Sequence, residues 1–184
     1  MFRLYSKIFG LTSFVGATAF SGHIYIKKSN PANRLDIIFD LDETLISSEK
    51  QKYLVNQNMA NVRMHDSEHP NYKIWRRPFA NQVLWGLSKF NNVHMFTRAT
   101  QDYADKICHD LKFDKYFVSK KYREDCSECK DVTKFCFDVK RTILVDNDSR
   151  NQCIGHQMYH IPLYNHHAVY DFELLKLFWF VLMY

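Results

Sequence analysis

Two carboxylates, Asp40 and Asp42, stand two positions apart directly after the apolar run Ile37-Ile38-Phe39, and a hydroxyl, Thr44, follows them. Aspartates this close repel one another once ionised, so the spacing asks for a compensating charge. Mg²⁺ supplies it: a hard cation that takes carboxylate oxygen and keeps part of its water shell. Asp-x-Asp alone reads equally as an acidic turn after a strand. Two later apolar runs also end in polar groups, Asn92–Phe96 in Thr97 and Thr142–Val145 in Asp146-Asn147. In an open parallel sheet, ligands bind at the C-terminal ends of the strands, so such a sheet would gather all three on one rim.

The elements between these runs are those such a sheet needs. Arg77-Pro78 opens a helix, with proline suited to a first turn, and Phe79, Val83, Leu87 and Phe90 recur at helical spacing. Ala99 to Lys112 is amphipathic, with Tyr103, Ile107 and Leu111 on one face; Tyr116 to Val118 reads as a further short strand. Residues 47–73 are polar, but Val62 and Met64 alternate, as do Tyr72 and Ile74, around Asp66–Asn71, the mark of a small hairpin. The apolar stretch from Phe172 to Met183 is about a dozen residues, too short to span a bilayer and suited to a helix packed on the sheet. Strand–helix alternation of this kind indicates an α/β domain of three layers.

The string Asp40-Leu41-Asp42-Glu43-Thr44-Leu45 resembles the first motif of the haloacid-dehalogenase (HAD) phosphatases. Within them it is similar to the small phosphatases of the RNA polymerase II C-terminal domain, the Dullard and NLI-interacting-factor-like branch. Phe96-Thr97 followed by Tyr103-Ala104-Asp105 resembles the second motif, Lys130-Asp131-Val132-Thr133 the third, and Val145-Asp146-Asn147 the fourth; the usual Ser-Pro continuation reads Asp148-Ser149 here. The resemblance covers roughly residues 35–180. It implies a HAD-like Rossmannoid parallel sheet with a short β-hairpin insertion after the first motif, and a phosphatase acting on phosphoserine or phosphothreonine in proteins.

The resemblance also assigns roles. Asp40 is the nucleophile that forms an aspartyl-phosphate. Asp42 gives a proton to the leaving alkoxide and then takes one from water. Asp40, the main-chain carbonyl of Asp42 and Asn147 hold Mg²⁺, and Asp146 either supports the metal through water or holds Lys130 in place. Thr97 and Lys130 neutralise the equatorial phosphate oxygens. Tyr103 and Arg123 occupy positions near the substrate, against the plainer readings of a core aromatic and a surface charge. Between Arg123 and Lys130 the chain is about five residues shorter than its relatives, which bears on peptide specificity. A rival class is a binding module without catalysis, as in a mitochondrial import component with a related domain that binds presequences; an enzyme for small or lipid phosphates is a third reading.

Bulk properties bound the rest. The chain has 184 residues, 46% hydrophobic and 24% charged, which excludes a disordered protein. Its net charge of +5 lies wholly before Asp36, where Arg3, Lys7, Lys27, Lys28 and Arg34 face no acid. The remainder is neutral, so nothing points to direct nucleic-acid binding. Residues 8–26 contain no Asp, Glu, Lys or Arg and at 1.5 Å each just reach across a hydrocarbon core of about 30 Å. Residues 1–34 are therefore expected to be a membrane anchor and linker ahead of a domain at 35–184. A mitochondrial presequence and a secretory signal ending near Ala17-Thr18-Ala19 compete with that reading. Five cysteines, an odd number, fit free thiols in a reducing compartment such as cytoplasm or nucleus. The competing reading makes Cys126, Cys129, Cys153 and His156 a zinc set.

Overall fold

The computed structural model describes residues 33–50, 62–65, 70–135, 138–168 and 170–184. Asp36–Phe39 forms β1, the centre of a five-stranded parallel sheet in the order β6-β5-β1-β7-β8. Its neighbours are β5 (Asn92–Phe96) and β7 (Thr142–Asp146); the edges are β6 (Ser119–Lys121) and β8 (Gln157–His160). A parallel strand covered on both faces reads as a continuous apolar run, and Ile37, Ile38 and Phe39 are all fully buried. Phe39 lies beside both Met95 and Val145. Asp40 and Asp146 therefore leave the sheet side by side, and Thr97 emerges two residues after Met95. The order of the strands turns at β1, which places the crevice above its C-terminal end.

Three helices cover one face: α1 (Ala80–Ser88), α2 (Gln101–Asp110) and α3 (Glu173–Met183). Val83, Leu84 and Leu87 of α1, Ile107 and Cys108 of α2, and Leu174, Leu177 and Val181 of α3 bury against Ile37, Phe39, Val93, Met95 and Val145. The other face is thinner. Ile38, Phe96 and Leu144 pack under Val132, Cys126, Phe135 and Val139, which belong to loops and short 3₁₀ turns. α1 begins at Ala80 rather than at Pro78, because Phe79 at φ 64° sits outside helical geometry and Pro78 lies in the preceding turn. In α1 the Gly86 position faces the Phe178 ring, which a Cβ would meet at 2.7 Å, so the glycine sets the closeness of α1 to α3.

The strand expected at Tyr116–Val118 lies three residues later, at Ser119–Lys121. Asp114–Tyr116 is instead a 3₁₀ turn, and Val118 is left exposed. Apolar content misplaced it, because an edge strand paired only to β5 needs main-chain hydrogen bonds more than burial. The hairpin after the first motif is a three-stranded antiparallel sheet in the order β2-β4-β3, formed by Ile46–Lys50, Pro70–Arg76 and Val62–His65. Val62 pairs with Ile74 and Met64 with Tyr72, as their alternation indicates. The expected turn at 66–69 lies outside the described residues, as do residues 8–26. Among the described residues no helix is long and apolar enough to cross a membrane.

The cysteine expectation is corrected. Cys129 and Cys153 form a disulfide, with Cα atoms 5.3 Å apart. That pairing removes two members of the zinc set and the argument from unpaired thiols for a reducing compartment. Cys108 is a buried free thiol and Cys126 a half-buried one; Cys136 lies outside the described residues.

Candidate active site

Above the C-terminal ends of β1, β5 and β7 opens a cavity of about 450 Å³, lined by Asp40, Asp42, Thr97, Tyr103, Arg123 and Asn147 among others. Lys130 lies beside Asp40, beneath the lining. It is fully buried, and its Nζ donates to Asp40 Oδ1 at 2.5 Å and to Asp146 Oδ2 at 2.7 Å. Burial works against the ammonium, but these two carboxylates outweigh it and raise the pKa of Lys130. Burial lifts Asp40 to about 7, with Lys130 pulling the other way. A buried ammonium between two carboxylates is thus held charged by its partners.

Lys130 is reached through β7 and the loop after it. Its main-chain N–H donates to the Asn151 carbonyl. Asp146, also fully buried, accepts from the Asp148 N–H at 2.8 Å and from Asn151 Nδ2 at both oxygens. Of the two roles open to Asp146 in the sequence, holding Lys130 is the one its hydrogen bonds match. Both its oxygens are taken, so it is not placed as a direct metal ligand. The disulfide from Cys129, next to Lys130, to Cys153, two residues past Asn151, ties the two loops together.

Asp42 stands on the opposite side. Its Oδ1 accepts from the Tyr103 hydroxyl at 2.8 Å, and burial raises the Asp42 pKa against the lowering effect of that bond. Tyr103 packs edge-on to Tyr72 at 6.2 Å, and burial drives its own pKa far up. It is both core aromatic and site residue. The turn from Asp42 to Leu45 passes through Glu43 at φ 61°. Main-chain bonds from Leu45 and Ile46 to the Leu41 carbonyl and from Tyr164 to the Glu43 carbonyl hold it. It brings Thr44 Oγ1 to Asn147 Oδ1 at 3.2 Å, and Asn147 Nδ2 donates to Glu43 Oε2 at 3.3 Å. Thr97 Oγ1 accepts from the Ala99 N–H at 3.1 Å.

Asp40, Asp42 and Asn147 thus present hard oxygens to one cavity. Mg²⁺ binds through one or two carboxylates and keeps several waters, and this donor set fits that habit; among the described residues no cluster of three or more His, Cys, Asp or Glu offers an all-protein cage. Residues to which the motifs give no role also line the cavity, among them Ser48, Tyr72, Arg98, Thr100, Asp148 and Asn151. Arg98 is the nearest to legible, since it follows Thr97 directly. Asn151 is a lone amide in a loop, and only the fold aims it at Asp146.

A family model described as NLI interacting factor-like phosphatase matches residues 35–182. Nuclear envelope morphology protein 1 of Schizosaccharomyces pombe is 32% identical over 122 residues, which is 62% of this chain and 25% of that protein. A probable C-terminal domain small phosphatase of Dictyostelium discoideum is 27% identical over 132 residues, 69% of this chain and 42% of its own. The chain therefore spans less than half the length of these curated relatives. The structure of the fission yeast RNA polymerase II CTD phosphatase Fcp1 superposes with a TM-score of 0.56 at 16% identity, covering 86% of this chain and 48% of that one. At that identity the superposition speaks for the fold, which is α/β with a parallel sheet like its own. The family match, running from ahead of β1 into the last turn of α3, says more: this chain belongs to the NLI interacting factor-like phosphatases.

Proposed function

We propose that residues 35–184 are a domain that hydrolyses phosphoserine or phosphothreonine monoesters in proteins through an aspartyl-phosphate on Asp40, with Mg²⁺ as cofactor. The observation that carries the reading is Lys130, fully buried and shared by Asp40 and Asp146. A lysine sunk between two carboxylates at the mouth of a parallel sheet has little structural use, because apolar residues in place of the whole charged cluster are often as stable. It suits a site that must neutralise phosphate oxygens.

Asp40 attacks phosphorus from the C-terminal end of β1 while Lys130 and Thr97 take up charge on the equatorial oxygens. Asp42, whose burial favours the protonated form and whose carboxyl Tyr103 orients, gives its proton to the serine or threonine oxygen as the P–O bond breaks. The same carboxylate then removes a proton from the water that attacks the aspartyl-phosphate, which frees Asp40 and inorganic phosphate. Asp40, the Asp42 carbonyl and Asn147 would hold Mg²⁺, which when bound screens the approach of the two anions. The likeness to a C-terminal domain small phosphatase supports a phosphorylated protein as substrate, and the likeness to a nuclear envelope morphology protein of S. pombe is in keeping with tethering through residues 8–26.

The test is pre-steady-state release of nitrophenolate from p-nitrophenyl phosphate, whose leaving group hardly needs a proton. Asp42→Asn gives a burst of about one nitrophenolate per enzyme and then stalls, while on phosphoserine peptide its first step slows by about 10²–10⁴-fold. Asp40→Asn gives no burst. A burst from Asp40→Asn, or equal slowing on both substrates in Asp42→Asn, would show the two carboxylates wrongly assigned.

A further inference from the structure

The cavity lining carries charges of both signs. Beside Asp40, Asp42 and Glu43 it includes Arg98 and Arg123, with the Thr100 hydroxyl. Lys130 already supplies a cation under the reacting position, so these two guanidinium groups are additional to the one the motifs provide.

Arg98 is exposed but fixed. Its Nε donates to Asn151 Oδ1 at 2.7 Å and its Nη2 to the Glu128 carbonyl at 2.7 Å. Both anchors are themselves held, Asn151 by Asp146 and Glu128 by its neighbour Cys129 in the disulfide. The Arg98 carbonyl accepts from Arg123 Nε at 2.9 Å, which sets the second arginine beside the first. Arg98 Nη1 and both Nη atoms of Arg123 have no hydrogen-bond partner among the described residues. Among the described residues Thr100 Oγ1 is buried without a partner, and Thr100 precedes α2 without a side-chain capping bond. Asp148, also in the lining, is already engaged by Arg150 at 2.7 Å. Donors held in place and left unfilled suit an anion, and charge-assisted hydrogen bonds from a guanidinium to carboxylate or phosphate oxygens are the strong ones.

We propose that Arg98, with Arg123 and the Thr100 hydroxyl, forms a second anion subsite beside the reacting phosphate. The favoured substrate is then a phosphopeptide with a further phosphate or carboxylate next to the phosphoresidue that is hydrolysed. This rests on the phosphatase reading above, and Arg98 is a specificity residue for it: it meets the flanking anion and leaves the reacting phosphorus to Asp40.

The experiment uses the full chain, in detergent, and three peptides of one sequence: a phosphoserine with neutral flanks, the same with flanking glutamate, and the same with a flanking second phosphoserine. Kd is measured by fluorescence anisotropy on the Asp40→Asn chain, and kcat/KM on the native one. Both anionic flanks should improve binding and kcat/KM, by about tenfold for the second phosphate and less for glutamate. Arg98→Gln should bring the ratio of flanked to neutral peptide towards one, and Arg98→Lys, which keeps the charge without the two anchoring hydrogen bonds that fix it, should leave it in between. Equal values for all three peptides would overturn the subsite, as would a ratio that survives Arg98→Gln. An improvement with phosphate alone would restrict the ligand to a second phosphate. If the native chain hydrolyses neither peptide nor p-nitrophenyl phosphate, the phosphatase reading fails, while the anisotropy ratio still decides the subsite.

Discussion

Lys130 sits where stability and chemistry meet. Its ammonium is the shared partner of two buried carboxylates, so removing it leaves Asp40 and Asp146 facing one another without a cation. Breaking a buried pair this way costs about 3–5 kcal/mol. Lys130→Met is expected to lose that much in urea unfolding, together with all measurable phosphatase turnover; a fully stable, inactive variant would mean that the carboxylates take up protons readily in its place. His94, by contrast, titrates far from the chemistry. Its ring bonds Ser119 Oγ at 2.8 Å and Asp36 Oδ1 at 3.2 Å. Burial lowers its pKa below 6.5 even though Asp36 works the other way. The unfolded chain therefore takes up this proton first as pH falls. Stability from His94 is complete above about 6.5 and is lost below it, down to the depressed folded value. Urea unfolding from pH 7.5 to 5.5 should show a steeper loss in the native chain than in His94→Gln.

Arg77 does for the elements what Lys130 does for the site. Fully buried at the end of β4, it holds Asp171 ahead of α3 through Nε at 3.0 Å, the Thr44 carbonyl through Nη1 and the Pro162 carbonyl through Nη2. One side chain thus joins the turn after β1, the loop after β8 and the start of α3. Arg77→Leu should destabilise by roughly 3–5 kcal/mol, leaving Asp171 without its partner, and should weaken activity through the Thr44–Asn147 contact. Thermal melts and p-nitrophenyl phosphate turnover on the same preparation check both. The disulfide is a second fastening. With its halves 24 positions apart in sequence, closing that loop is worth about 3 kcal/mol on the chain-entropy account. Cys153→Ser should melt several degrees lower than the native chain without reductant, and reductant should remove the difference. An unchanged melting temperature would mean that the Lys130 loop is held by its hydrogen bonds alone.

At the scale of the whole molecule, the net charge of +5 and the uncharged run 8–26 both precede Asp36, while the remainder is neutral. The full chain is expected to pellet with membranes and to leave them with detergent rather than with salt. Residues 30–184 should stay in the supernatant and keep their activity. Full-length protein that remains soluble after ultracentrifugation would exclude the anchor.

Strand ends and motif residues were legible because each is a local pattern. Ile37–Phe39 had to be a buried strand, and Asp40, Thr97 and Asp146 each follow an apolar run that parallel pairing brings to one rim. Helix spacing marked α1, α2 and α3 to within a few residues. The edges escaped. β2, with one apolar residue in Ile46-Ser47-Ser48-Glu49-Lys50, and β8 are strands because a neighbour offers hydrogen bonds, which composition does not record. The disulfide escaped for a related reason: Cys129 and Cys153 meet only because Lys130 and Gln152 bridge the two loops. Which carboxylate answers which cation was also decided in three dimensions. Asp146 turns to Lys130, 16 residues away in sequence, and Arg98 is fixed between Glu128 and Asn151, 30 and 53 residues away.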